Sequence, residues 1–267
     1  MVKLVKLFPQ YMLLPAVGGI ALLAAAGYMV KRGISFWLAL AVLVIGFVIL
    51  YILALSYGVS ALQNRLAWLY QNLEPERFLE KFEKLLPRAK KTPALEVTVR
   101  AYLADGHAAI GEFDQALALL DGAPVVTEES ERLSAALLML NNKGLIHFRM
   151  ENAEKGKECL DKMRELLERQ DEAAQKRYAE NVRILQCHYD ALTGVCQDDA
   201  YLRELVRNGT TALFRVNTSL LLARVYLSQG ETNMARAYLE QTIEKGRDWL
   251  WPTKKAQQML AALPAEE

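Results

Sequence analysis

AYLADGHAAIGEFDQALALL, residues 101–120, is the stretch whose reading decides the fold. Leu103-Ala104 opens an apolar stripe at helical spacing. Gly111 interrupts it, and after Gly111-Glu112-Phe113 the stripe resumes with Ala116 and Leu120. A periodic run, a glycine and a second periodic run read as two helices joined by a tight turn. Small residues let the two helices cross closely, and glycine relieves the turn. The arrangement returns over residues 220–239, LLLARVYLSQGETNMARAYL, as Leu222-Ala223, Tyr226, Gly230, Ala235 and Leu239. Two looser copies lie between. One has Gly144 and His147, then Gly156 and Leu160; the other has Leu185 and Tyr189, with its break at Gly194.

These copies resemble the tetratricopeptide-repeat (TPR) family. In that pattern the first helix carries Leu-Gly/Ala and an aromatic, a glycine starts the turn, and the second helix carries Ala. Aligning the turns at Gly111, Glu151, Gly194 and Gly230 gives spacings of 40, 43 and 36 residues. The family period is about 34, so helices or connections here must be longer, and Thr127 to Glu131 reads as one such connection. The resemblance covers roughly residues 95 to 245 and implies an all-α helical solenoid. Trp249, Trp251 and Pro252, followed by Ala256, Met259, Leu260 and Leu263, read as a final helix capping the stack.

Outward toward the N-terminus the chemistry changes. Leu7 to Val30 is 24 residues without a charge, and Gly33 to Asn64 is 32 more. A membrane-crossing helix needs roughly 20 apolar residues. Tyr11, Tyr28, Phe36, Trp37 and Tyr57 sit at the flanks, where aromatic side chains match the headgroup region. Only Lys31 to Ile34 separates the runs, so two spans, about 8–30 and 35–57, form a tight antiparallel hairpin. Gly18, Gly19, Ala21 and Ala25 in the first and Ala39 and Gly46 in the second offer close approach. A cleaved signal peptide ending near Ala24-Ala25-Ala26 is the rival reading of the first span. Lys3, Lys6, Arg65 and Arg77 on the terminal side outnumber Lys31 and Arg32 in the loop, which favours a cytoplasmic soluble domain. The expected organisation is a transmembrane hairpin (1–58), juxtamembrane helices (59–92), repeats (93–248) and a capping helix with tail (249–267).

The first acidic residue is Glu74, and beyond Asn64 the chain carries 28 basic and 31 acidic residues. A slightly acidic domain has no footprint for a phosphate backbone, which excludes nucleic acid as the partner. Arg88, Lys90 and Lys91 form a small basic patch, read either as a solvated helix end or as a contact for anionic lipid. Cys159, Cys187 and Cys196 are odd in number and form no CxxC pair, which favours a reducing compartment. Asn208 and Asn217 begin Asn-x-Ser/Thr tripeptides, both beside or inside expected helices.

His107 and His147 occupy the repeat position that is usually aromatic, which argues for packing. Cys187, His188 and Cys196 match no common zinc spacing. The chain holds no phosphate-binding glycine loop, Gly-x-Ser-x-Gly elbow or His-Glu-x-x-His helix. No residue is assigned to catalysis, and no metal or cofactor is implied. What remains is a surface. In a superhelix of helix pairs the first helices line the concave face, placing Asn141, Arg149, Arg183, Asp190, Asn217 and Arg224 as groove candidates. Arginine with asparagine suits carboxylates or an extended backbone. Ala101 and Asp105 stand where the peptide-binding TPR members carry Lys and Asn, so their clamp does not map here. The expected function is a membrane-anchored scaffold binding a protein or peptide partner through the groove. The rival is a structural subunit or homo-oligomer assembled through the transmembrane hairpin.

Overall fold

The computed structural model describes residues 7–264, apart from the side chains of Pro9 and Met12. Lys3 and Lys6, which enter the orientation argument, lie outside the described residues. Among the described residues there is no strand. Two compact units divide the chain, one up to Leu66 and the other from Ala67.

In the first unit a 3₁₀ turn, Pro9–Met12, leads into α1 (Leu13–Lys31), and α2 (Phe36–Tyr70) follows after a short turn. Both helices are long and apolar enough to cross a membrane. Their large apolar side chains face outward: Leu13, Val17, Ile20 and Leu23 on α1, and Trp37, Ile45 and Ile52 on α2. A helix from the core of a soluble domain would bury such residues. The two helices meet through small residues. A Cβ at Gly46 would stand 2.8 Å from the methyls of Leu22, and one at Gly19 would stand 3.2 Å from the Phe47 ring. Ala21 and Ala25, also expected at this contact, fall on the exposed face of α1 instead.

The second unit continues with α3 (Pro75–Phe82), a 3₁₀ turn (Glu83–Leu85) and α4 (Leu86–Ala89). The sequence places the end of this helical stretch at Pro87. The break instead comes at Glu83–Leu85, and Pro87 sits in the first turn of α4, where its missing N–H is not needed. There follow α5 (Pro93–Ile110), α6 (Phe113–Asp121), α7 (Glu129–Arg149), α8 (Ala153–Glu168), α9 (Glu172–Thr193), α10 (Asp199–Asn208), α11 (Ala212–Ser228), α12 (Thr232–Lys245) and α13 (Trp251–Ala261). The long connection before α7 covers residues 122–128 and closes on Glu128, the N-cap of α7, with Ser130 and Glu131 already helical. Asn152, Asp171 and Thr211 cap α8, α9 and α11 by accepting a backbone N–H three residues on.

All four turns aligned in the sequence adopt left-handed backbone: Gly111, Gly194 and Gly230 at φ 92°, 78° and 78°, and Glu151 at φ 60°. Only the last lacks a glycine. The core is a chain of clusters, each sharing a helix with the next. Ala104, Ala108, Ala116 and Leu120 of α5 and α6 take in Ile146 of α7. Leu137 and Phe148 of α7 join Leu160 and Met163 of α8 to Leu185 of α9. Cys187 and Ala191 of α9 join Leu202 of α10 to Leu222 and Tyr226 of α11. Leu220 and Ala223 of α11 join Leu239 of α12 to Ala256 of α13.

The last helix and the turn before it also reach back to earlier parts of the unit. Trp251 meets the Phe113 ring edge-on with centroids 5.3 Å apart, and the Trp249 Nε1–H donates to the Leu73 carbonyl at 2.8 Å. Gln71 adds a bond to the Thr210 carbonyl at 3.0 Å.

Candidate functional site

Three of the six groove candidates come together. Arg149 at the end of α7, with Asn217 and Arg224 on α11, lines one small pocket together with His188 of α9, Leu220, Leu221 and Trp251 of α13. Alternate helices α7, α9 and α11 thus each contribute a wall, and the last helix closes the side. The helical phase explains the set: Asn217, Leu220, Leu221 and Arg224 follow the three-and-four spacing that keeps one face of α11.

Arg224 is held on one side only. Its Nη2 donates to Glu151 Oε1 at 2.9 Å, and Lys255 binds the same carboxylate oxygen at 2.7 Å. These two cations hold the Glu151 carboxyl below the usual carboxylate range, Lys255 contributing most through its hydrogen bond. The strained turn therefore earns its side chain: a glycine at 151 would relax the backbone and lose both pairs. Arg224 also faces the Trp251 ring, 5.9 Å from its centroid.

Arg149 has a different setting. Burial weakens its hold on its proton, and the field of Asp105 opposes that effect. Asp105 accepts a hydrogen bond of 2.6 Å from the Tyr70 hydroxyl, and burial raises its pKa. His188 lies flat against Phe148, the rings 3° from parallel with centroids 6.0 Å apart. Burial first, then Arg149 and Arg224, push its pKa down to about 3. The imidazole is thus neutral across the physiological range and offers the pocket one donor or one acceptor.

The other three candidates lie apart from this pocket. Arg183 makes two hydrogen bonds of 3.0 Å to Asp198 and stacks on Tyr201 with 3.7 Å to the ring centroid. Asp190 accepts from Gln186 at 2.5 Å. The Asn141 amide approaches its neighbour Asn142 at 3.5 Å. Cys187 and Cys196 share a buried cluster with Leu202 and Tyr226, whereas His188 belongs to the arginine pocket, so the three diverge. His107 binds Glu112 at 2.6 Å across the turn between α5 and α6. Asn217 is half-buried, its amide donating to the Leu213 carbonyl at 2.8 Å.

Trp251 and His188 are parts of this pocket that the sequence reading does not single out as groove residues. Asp105, behind Arg149, is an acid inside the alanine-rich run 101–109, a setting in which a carboxylate is rarely placed without a partner. Comparison with known protein families, characterised proteins and solved structures gives no match for this chain.

Proposed function

We infer that this chain is a membrane-anchored helical-repeat scaffold of TPR type that binds a protein or peptide partner through the inner face of its repeats. The convergence of Arg149, Asn217 and Arg224 from two different repeats on one pocket carries this reading. A core built only for stability places arginine at such positions at a cost, since each guanidinium loses hydration. In this reading α1 and α2 form a transmembrane hairpin, the repeat turns stack as a solenoid, and the soluble unit faces the cytoplasm.

The test is display of a random peptide library on the full chain held in detergent micelles. Enrichment of defined sequences, lost in the Arg224→Gln variant, is the expected result. Enrichment that ignores Arg224, or none, removes the inner face from the function.

A second reading has its own observation. An apolar recess of about 440 Å³, lined by Pro15, Gly19, Leu23, Leu43 and Phe47, lies along α1 and α2. It suits a further membrane helix, in keeping with a structural subunit assembled through these spans. Exchanging residues 7–64 for an unrelated two-helix anchor separates the readings: retained peptide capture with lost assembly favours the subunit.

A further inference from the structure

We propose that the cavity between α9, α10 and the start of α11 is a site for a linear aliphatic diamine or polyamine, with its ammonium groups on Glu180 and Glu204. The cavity shares no residue with the arginine pocket and does not rest on the peptide reading above.

The cavity holds about 470 Å³, within the range of small-molecule sites. That is room for roughly 15 water-sized groups. Its rim is fixed from two sides. The Gln71 amide donates to the Thr210 carbonyl at 3.0 Å and accepts from the Ala212 N–H at 3.4 Å. Arg215 Nη1 donates to the Gly209 carbonyl at 2.6 Å. A wall held in this way is shaped before a ligand arrives, which lowers the cost of binding.

Charge selects a cation. Among the described residues no Lys, Arg or His lines the cavity, whereas Glu180 and Glu204 do, one from each of two helices. Other acids of these helices and their connection are already paired: Glu172 with Lys176, Asp198 with Arg183 and Asp199 with Arg203. Glu180 and Glu204 enter no ion pair among the described residues. Tyr201, in the same wall, adds a second sign. Its hydroxyl oxygen is buried and has no hydrogen-bond partner among the described residues. Burial, then the charge of Glu180, pushes its pKa up to about 12. An ammonium group paired with Glu180 supplies the N–H that this oxygen lacks.

The remaining walls select the form of the cation. Ile184, Leu205 and Phe214 also line the cavity, and an aliphatic chain buries apolar surface against them. A bare metal ion would leave them unused, and the two glutamates belong to no group of three metal-ligating side chains among the described residues. A monoamine neutralises one carboxylate and leaves the other unmatched.

The probes are putrescine, spermidine, butylamine, N-acetyl-lysine amide and magnesium, each titrated into the full chain in micelles of an uncharged detergent. The readout is the side-chain carboxyl carbon resonances of Glu180 and Glu204. Saturable shifts at both residues with putrescine and spermidine are expected. Butylamine and magnesium should bind at least about fivefold more weakly. Glu180→Gln and Glu204→Gln should each weaken spermidine by about fivefold. Both variants should melt as the parent does, because neither carboxylate holds a partner in the fold. The comparison of probes on the parent chain stands whether or not a variant folds.

No shifts, equal affinity for magnesium or butylamine, or unchanged affinity in either glutamine variant would overturn the proposal. So would tighter binding of the lysine amide than of either polyamine, which would give the cavity to a side chain of a protein partner.

Discussion

A neutral imidazole kept from its proton by burial, and by the charges of Arg149 and Arg224, makes the stability of this protein depend on pH at one residue. His188 has a folded pKa of about 3, well below its ordinary value of 6.5. Between these values the unfolded chain takes up a proton that the folded chain refuses. The stabilisation is therefore full above pH 6.5 and is lost as the pH falls through that window. From pH 7 to pH 5 this group alone should remove about 2 kcal/mol. Asp105 works in the opposite direction, because burial raises its pKa and stability from that group falls as pH rises. The His188→Gln variant isolates the first effect: urea denaturation at pH 7 and pH 5 should show a flatter acid limb than the parent. Parallel limbs would place His188 in a more hydrated setting. Gly156 gives a second residue-scale expectation. Alanine ordinarily stabilises a helix over glycine by about 1 kcal/mol. Here a Cβ at 156 would fall inside the envelope of the fully buried Phe148 ring. Gly156→Ala should therefore destabilise by about 1–3 kcal/mol, with part of the loss recovered by adding Phe148→Leu. A gain in melting temperature from Gly156→Ala alone would refute the contact.

Individual helices show how far periodicity carries. The four turns aligned by sequence all have left-handed backbone, although one is Glu151 rather than glycine. That register was legible because a tight turn between crossing helices imposes a backbone constraint that leaves a residue signature. The interruption of α3 was not, because Pro87 looks the same at the end of one helix as in the first turn of the next. The pocket was half legible. Facing positions within a helix follow from a 3.6-residue period, which fixed Asn217 and Arg224 together. Whether Arg183 turns inward or pairs with Asp198 depends on the path of the next helix, and no local pattern encodes that path. At this scale the caps are open to direct test. Asp171 accepts the Ala174 N–H at 2.8 Å, so Asp171→Ala should cost about 1 kcal/mol in urea denaturation. No measurable change would mean that α9 starts elsewhere.

For the molecule as a whole, the distribution of charge carries the topological argument. Two helices are long and apolar enough to cross a membrane, and the proposed topology puts the soluble unit in the cytoplasm, on the side that carries Lys3, Lys6, Arg65 and Arg77. Ser35, in the turn after α1, and Glu240, on α12, are both exposed. In a background lacking the native cysteines, Ser35→Cys should react with a membrane-impermeant maleimide on intact cells. Glu240→Cys should react only after permeabilisation, and the reverse pattern would invert the proposed topology. The bond from Trp249 to the Leu73 carbonyl has a further meaning for how the chain is made. Its partners are 176 residues apart in sequence. At about 5–20 residues per second of synthesis, roughly 10–35 s separate their appearance. Through that interval the earlier helices stand without their closing partner. The polypeptide leaves the ribosome unlatched, and the turn that leads into its last helix is the latch.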